Sequence, residues 1–377
     1  MVGAKVSVAE VLIVAPSRSY PVLIGSGILR ERLAKAASEL VDAERAAIIT
    51  DTGVPQRWVE EACRGIKDAG IEVSIFVFEQ GESSKTIGTC SELLSAMADS
   101  GLHRRDVVVG VGGGVTTDIA GFLASIYMRG VELFQVPTTL LGMVDAAIGG
   151  KTGVNLQGWK NLVGSFYQPA VVICDLSTLE TLPIEELRTG MAEVIKYGFI
   201  SRPEILELAA SLRSRLVDDH REIFRYEEAV EVVRSCVEVK ASVVSSDERE
   251  SGIREILNFG HTLGHAIERV TLHKVSHGEA ISIGMAFEAE LSALLLGIDP
   301  SVVTEVRGRI AEMGLPVSVG GVEHRVAKES VFEAMAMDKK YLGGMRFVLL
   351  ESIGNPIVRM IDDSTKIDIA LARVGIQ

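Results

Sequence analysis

Four of the seven histidines in this 377-residue chain fall between His261 and His277. His261 and His265 stand four apart in NFGHTLGHAIE, so on a helix they share one face a turn apart. His277 opens the next segment, Ser276-His277-Gly278-Glu279. Two histidines and a carboxylate with open positions make a divalent-metal site that polarises a substrate oxygen as a Lewis acid. A metalloprotease helix is excluded, because Thr262 stands where H-E-x-x-H needs its glutamate. Glu193, in Gly190-Met-Ala-Glu193-Val-Ile-Lys196, is a candidate for the carboxylate, since it lies in an apolar helical segment beside Lys196. The alternative is a set of packing histidines with a buried Glu–Lys pair. The clustering favours the metal.

A second group of residues suits phosphate. The run DVVVGVGGGVTTD, Asp106–Asp118, passes from a strand pattern directly into a helical one. Gly112, Gly113 and Gly114 let backbone approach a ligand closely, and the helix start offers unpaired N–H groups and a positive dipole end. Without a ligand the same run is simply a tight turn. It does not match G-x-G-x-x-G, which argues against a standard dehydrogenase fingerprint. Gly81–Lys85 (GESSK) follows the strand before it and Pro137-Thr138-Thr139 the strand after it, so three strand ends carry polar or small residues. Doubly wound sheets bind ligands at that edge. Further on, GGKTGVN (Gly149–Asn155) and Lys160-Asn161 read as a glycine-rich loop bearing lysines near Asp145. A P-loop is rejected, because its first glycine would fall at Asp145.

Elements that could position these groups are readable from periodicity. Ala46–Thr50, Val73–Phe78, Val107–Val111, Val131–Val136 and Ala170–Cys174 read as buried strands, with helical segments between them. Ile87, Cys90, Leu94 and Met97 form the clearest helical stripe, ending at Gly101. Such alternation predicts a Rossmann-like, mostly parallel α/β domain over residues 1–180. From 181 to 377 the pattern becomes mainly helical: Pro183–Ile200, Tyr226–Ser245, Asn258–Val270, His277–Leu296 and Val302–Met313, with a short strand near Phe347–Leu350. That half is expected to be a metal- and substrate-binding domain. Two domains also suit the length, at roughly 150 residues each.

Composition narrows the function class. Apolar residues make up 47% and charged residues 24%, as in ordinary globular proteins. The net charge of −13 disfavours nucleic acid, whose binding rests on a basic surface. No apolar run is long enough for a membrane span, and the start of the chain, with Lys5 and Glu10, does not read as a signal peptide. Cys63, Cys90, Cys174 and Cys236 are scattered singly, which suits reduced thiols in the cytoplasm.

Taken in order, GGGVTTDIAGF, RGVELFQVPTTLLGMVDAAIGGKTGVN, KNLVGSFYQP, GMAEVIKYG, NFGHTLGHAIE, HGEA and Asp338-Lys339-Lys340 resemble the 3-dehydroquinate synthase family of sugar phosphate cyclases. The resemblance spans about residues 20–355 and implies an NAD-binding domain followed by a helical metal domain, in a homodimer. It implies conversion of 3-deoxy-D-arabino-heptulosonate 7-phosphate to 3-dehydroquinate and phosphate, on the shikimate route. Its metal ligands would be Glu193, His261 and His277, holding Zn2+ or another divalent cation such as Co2+. NAD would be held by Asp51, by Gly81, Glu82, Ser83, Ser84 and Lys85, and by Gly114, Val115, Thr116, Thr117 and Asp118. Thr138, Thr139, Lys151, Lys160, Thr178, Leu179, Glu180 and Thr181 would complete that set. Asp145, Lys151, Asn161, Lys196, Lys240, Arg254, Asn258, His265 and Lys339 match substrate positions, and Arg129 matches an arginine that reaches the phosphate across the dimer.

Oxidation of a substrate alcohol by NAD acidifies the neighbouring proton, phosphate leaves, and the hydride returns, so no net redox change is implied. The lysines and Arg254 would meet the phosphate and carboxylate. One position departs from the family: Thr117 replaces a glycine of the nucleotide turn, which would be strained if the site needs positive φ. The rivals are another sugar phosphate cyclase, a metal-dependent polyol dehydrogenase of related fold, and a non-enzymatic NAD sensor. Related cyclases tend to change the positions of Lys240, Asn258 and His265, which this chain keeps.

Overall fold

The computed structural model of the chain describes residues 8–157, 159–217, 227–324, 326–342 and 345–377; of 213–217 and 337–342 only the backbone is described. The chain divides into two compact units, Met1–Pro183 with His220–Arg249, and Ile184–Asp219 with Glu250–Gln377.

In the first unit the chain forms β1 (Ala9–Val14), β2 (Ser19–Gly25), β3 (Arg45–Asp51), β4 (Glu72–Phe78), β5 (Val107–Gly112), β6 (Glu132–Pro137), β7 (Lys151–Leu156), β8 (Trp159–Phe166) and β9 (Val171–Asp175). Seven of them make one sheet in the order β1-β2-β9-β6-β5-β3-β4, parallel except for β1 against β2. The five expected strands are all present. Their β-branched runs are continuous because helices cover both faces, so every residue of β5 and β9 is buried. Ala46, Ile48, Val107 and Val109 turn toward α1 (Leu29–Ser38) and α2 (Gln56–Asp68). Ala47, Ile49 and Val108 turn toward α3 (Ile87–Asp99) and α4 (Gly114–Ile126). Period-two alternation thus divides one sheet between two cores.

Several features depart from expectation. β1 and β2 were not among the expected strands, and the lysine-bearing stretch is no loop but the antiparallel hairpin β7–β8, with Lys151 opposite Phe166. A left-handed Asn161 (φ 51) lies on β8. Although it follows residue 180, α7 (Glu227–Ser246) groups with the first unit. The expected start of that helix at Tyr226 lies outside the described residues.

The second unit holds α5 (Ile184–Ile200), α6 (Glu204–Val217), α8 (His261–Val270), α9 (His277–Leu296), α10 (Pro300–Glu312), α11 (Lys328–Leu342) and α12 (Ser364–Arg373). One hairpin, β10 (Arg346–Ser352) with β11 (Asn355–Met360), supplies the expected short strand. The central helix is α9, buried on nearly all sides, as its almost uninterrupted apolar sequence requires. Helix α8 starts later than Asn258. A 3-10 turn, Ile253–Asn258, comes first, and Gly260 at φ 82 redirects the chain so that His261 is the first helical residue.

Candidate active site

In the first unit, the carboxyl ends of parallel strands converge on one edge, so the expected nucleotide residues gather there. At the end of β3, Asp51 accepts a hydrogen bond from the Thr116 hydroxyl and another, at 2.9 Å, from the Gly53 amide. After β4, Gly81 at φ 102 leads into the Glu82–Ser84 turn. Lys85 follows, almost wholly buried, and donates to Asp118 Oδ2 and Asn161 Oδ1, each at 2.5 Å. Burial alone would lower the Lys85 ammonium, but Asp118 and Glu82 raise it, so the lysine stays charged. The hairpin is tied into the same network. Asn155 donates to Glu82 Oε1 at 2.8 Å and accepts from the Asn161 amide at 2.9 Å. The last residue of β5 has no room for a side chain: a Cβ at Gly112 would lie 2.6 Å from the Thr116 side chain.

Thr117 is unstrained. It lies in the first turn of α4, outside the positive-φ residues, and its hydroxyl donates to Gly114 O at 3.1 Å. The family's glycine is therefore not required by this backbone. Thr138 and Thr139 follow β6, where the Thr139 hydroxyl accepts from the Gly142 amide at 3.0 Å. Thr178, Leu179, Glu180 and Thr181 form a 3-10 turn after β9. Two of its hydroxyls serve the fold: Thr178 donates to Asp175 O at 2.8 Å, and Thr181 accepts from Trp58 Nε1 at 2.8 Å. Asp145 belongs to a single π turn, Gly142–Ala146. Its carbonyl and carboxylate both accept from buried Lys240 Nζ of α7 at 2.5 Å, which fixes that ammonium. Lys151 is exposed, Lys160 half-buried, as are Glu82 and Ser84, and Ser83 is exposed.

Arg129 ends the 3-10 turn Tyr127–Arg129 that follows α4, in a run of positive-φ residues: Met128 at φ 47, Arg129 at 69 and Gly130 at 121. Two consecutive non-glycine residues in that region cost energy, and the outcome is an arginine pushed into solvent.

In the second unit, Glu193, His261 and His277 bring one carboxylate oxygen and two imidazole nitrogens within 4.8 Å of one another. Helix α5 presents Glu193, fully buried and ion-paired with Lys196 one turn later. His261 Nε2 stands 3.5 Å, and His277 Nε2 3.4 Å, from Glu193 Oε1. Both histidines occupy the first position of a helix. A capping box, Ser276 with Glu279, starts α9 at His277, and the Gly260 turn starts α8 at His261. Close approach of α5 and α9 depends on Gly278, whose Cβ would lie 2.4 Å from Thr189 Cα. Burial lowers the His261 imidazole to about 4. Burial acts the same way on His277, yet Glu193 and Glu268 overcome it and raise that ring to about 9. Two buried carboxylates therefore gather positive charge at this point. A mixed oxygen and nitrogen donor set of this kind fits a divalent cation such as zinc.

His265 is exposed, with its ring centroid 5.2 Å from His261 and 6.3 Å from His277. Arg254 is buried and Asn258 half-buried, donating to Glu250 Oε1 at 3.2 Å. The Lys339 side chain lies outside the described residues. Two carboxyls escaped the sequence reading. Glu268 stands 3.4 Å from His277 Nδ1, and Glu288 of α9 accepts from the Gly260 amide at 2.7 Å. Their positions in apolar helices, as charged residues spaced from the histidines by whole turns, were the available signal.

The description "3-dehydroquinate synthase N-terminal" matches residues 75–189, and "3-dehydroquinate synthase C-terminal" matches 190–341. The 3-dehydroquinate synthase of Thermobifida fusca is 43% identical over 346 residues, covering 91% of this chain and 90% of that protein. That of Rhodococcus opacus is 42% identical over 348 residues, covering 91% and 89%. Among solved structures, a 2-epi-5-epi-valiolone synthase from Streptomyces hygroscopicus with NAD+ and Zn2+ bound has a TM-score of 0.85 at 29% identity, covering 95% of this chain and 97% of that one. A 2-deoxy-scyllo-inosose synthase complexed with carbaglucose-6-phosphate, NAD+ and Co2+ also has 0.85, at 26% identity and 97% and 100% coverage. The NADH-dependent butanol dehydrogenase A of Thermotoga maritima, at 14% identity and TM-score 0.66 over 94% and 96%, shares the fold.

Proposed function

The chain belongs to the 3-dehydroquinate synthase family, and from that premise we propose how its residues divide the work. It is a carbon–oxygen lyase that turns 3-deoxy-D-arabino-heptulosonate 7-phosphate into 3-dehydroquinate and phosphate, with NAD and a divalent metal as cofactors. The observation that carries this reading is the pair of consecutive family matches over residues 75–341, supported by 43% identity to a curated synthase against 29% and 26% to the neighbouring cyclases.

Glu193, His261 and His277 hold the metal, whose Zn2+ or Co2+ charge would polarise a substrate oxygen while NAD takes up and gives back a hydride. Asp51, the Glu82–Asp118 network and the strand-end threonines hold the dinucleotide. Asp145 and Lys240 act as a unit, because the acid fixes the ammonium that meets the substrate. Lys151, Lys196, Arg254 and Lys339 supply the remaining positive charge for phosphate and carboxylate, with Asn161, Asn258 and His265 donating or accepting hydrogen bonds. The enzyme works as a homodimer in the cytoplasm, and the left-handed turn that exposes Arg129 presents it to the partner's substrate phosphate.

The decisive assay supplies the heptulosonate phosphate with catalytic NAD and zinc. Phosphate should appear with no lasting absorbance at 340 nm, whereas net NADH would indicate a dehydrogenase. Replacing Lys151 with alanine should lower kcat/KM by roughly a hundredfold or more, the loss of one or two charge-assisted contacts, and leave the far-ultraviolet spectrum unchanged. An unaltered rate would return Lys151 to ordinary surface.

A further inference from the structure

His277 lies between two carboxylates that use different sides of its ring. Its Nε2 is 3.4 Å from Glu193 Oε1, and its Nδ1 is 3.4 Å from Glu268 Oε1. Both acids are buried, Glu193 fully and Glu268 to within 4%. Glu268 sits two helical turns after His261 on α8, so it shares that residue's face. Its own place is fixed by the end of the helix: the Glu268 carbonyl accepts from the His273 amide at 2.8 Å and from the Thr271 hydroxyl at 3.3 Å. The imidazoles near the carboxylate are His277, His265 and, at 4.0 Å, His273.

A metal bound at Nε2 would displace the proton that nitrogen carries in the charged, metal-free ring, and the single hydrogen left on the imidazole is then the one on Nδ1. An acceptor held against Nδ1 selects the form protonated there and leaves the Nε2 lone pair directed toward Glu193 and His261. We propose that Glu268 is a positioning residue of the metal centre, which accepts the Nδ1 hydrogen of His277 and so fixes that ring's tautomer and orientation. Helix α8 thereby contributes twice, through a ligand of its own and through the carboxylate that orients the ligand of α9. His265, Glu268 and His277 also lie within 4.8 Å of one another, which is the grouping expected when one histidine belongs to both the ligand set and its outer support.

This inference rests on the assignment of Glu193, His261 and His277 as ligands, and the test separates the two. Zinc affinity of the full-length protein is measured by competition with a chromophoric chelator, and the cobalt-substituted protein is examined by its visible absorption. Glu268→Ala should weaken zinc binding by about 10–100-fold and alter the cobalt spectrum, the usual cost of removing such a support. Glu268→Gln, which retains a neutral acceptor and the side-chain volume, should recover most of the affinity. The metal-free melting temperature of each variant shows whether the fold survives. If Glu193→Gln and His261→Ala abolish binding but Glu268→Ala binds as wild type, the positioning role is wrong and the ligand set stands. If none of them affects binding, the ligand set itself is wrong. Two zinc ions per chain, one of them lost in Glu268→Ala, would make Glu268 a ligand and overturn the proposal.

Discussion

His261→Ala is expected to emerge from dialysis without metal and to release no measurable phosphate from the heptulosonate substrate. The reasoning starts from the donor set. With His261 gone, the cluster keeps one carboxylate and one imidazole, and two donors do not hold a divalent ion against water. Affinity should fall by well over a hundredfold, since even supports outside the ligand set cost 10–100-fold. The fold should tolerate the change. The imidazole is one turn from solvent-exposed His265, its side chain is 12% exposed, and the Gly260 turn that starts α8 is set by backbone and Glu288. Metal content by elemental analysis, phosphate release and circular dichroism together check it. Full activity in a metal-free variant would remove the assignment of Glu193, His261 and His277.

How much of this was legible in the sequence depends on what each residue answers to. The five inner strands were readable because burial on both faces demands continuous β-branched runs. The β1–β2 pair was not, since Leu12 and Val14 alternate with buried Val11 and Ile13 and Pro21 interrupts β2. The glycines of the β7–β8 stretch suggest a loop. They serve close strand approach instead: a Cβ on Gly164 would lie 2.1 Å from Thr152 O, a contact no single sequence displays. The histidine cluster was plain from spacing, but i and i+4 share a face, so spacing could not choose between His261 and His265. What distinguishes them is the carboxylate each one meets: His261 groups with Glu193 of α5, about 70 residues away along the chain, and His265 with Glu268 of its own helix. Glu268 and Glu288 stayed hidden because an acid in a helix is ordinary until the partner helix is known.

The largest effect on the fold of the second unit should come from a single methyl group, in Gly284→Ala. A Cβ there would lie 1.9 Å from the Gly260 carbonyl oxygen and 2.8 Å from its carbon, whereas normal carbon–oxygen contact begins near 3.3 Å. The obstacle is backbone, so no side-chain rotation relieves it. Gly260 has little freedom to retreat: its φ is 82, and its amide is held at 2.7 Å by Glu288, one turn beyond Gly284 on the same helix. Burial raises the Glu288 carboxyl well above the usual range, and the amides of Gly260 and Val348 both donate to it. Helix α9 must therefore move away from the turn that starts α8, which carries His261 off His277 and Glu193. An overpacked contact of this kind costs about 1–3 kcal/mol, a fall in Tm on the order of 2–12 °C for a unit of this size. Zinc affinity should fall at least tenfold in the same variant, while NAD affinity is unchanged, because every residue proposed to hold the dinucleotide lies in the other unit. Calorimetry, chelator competition and NAD titration read the three effects separately. His261→Ala should show the opposite balance, losing zinc with little loss of metal-free Tm, so the pair distinguishes a missing donor from misplaced donors. Wild-type Tm and zinc affinity in Gly284→Ala would mean that backbone contact between α9 and the Gly260 turn does not set the geometry of the metal centre.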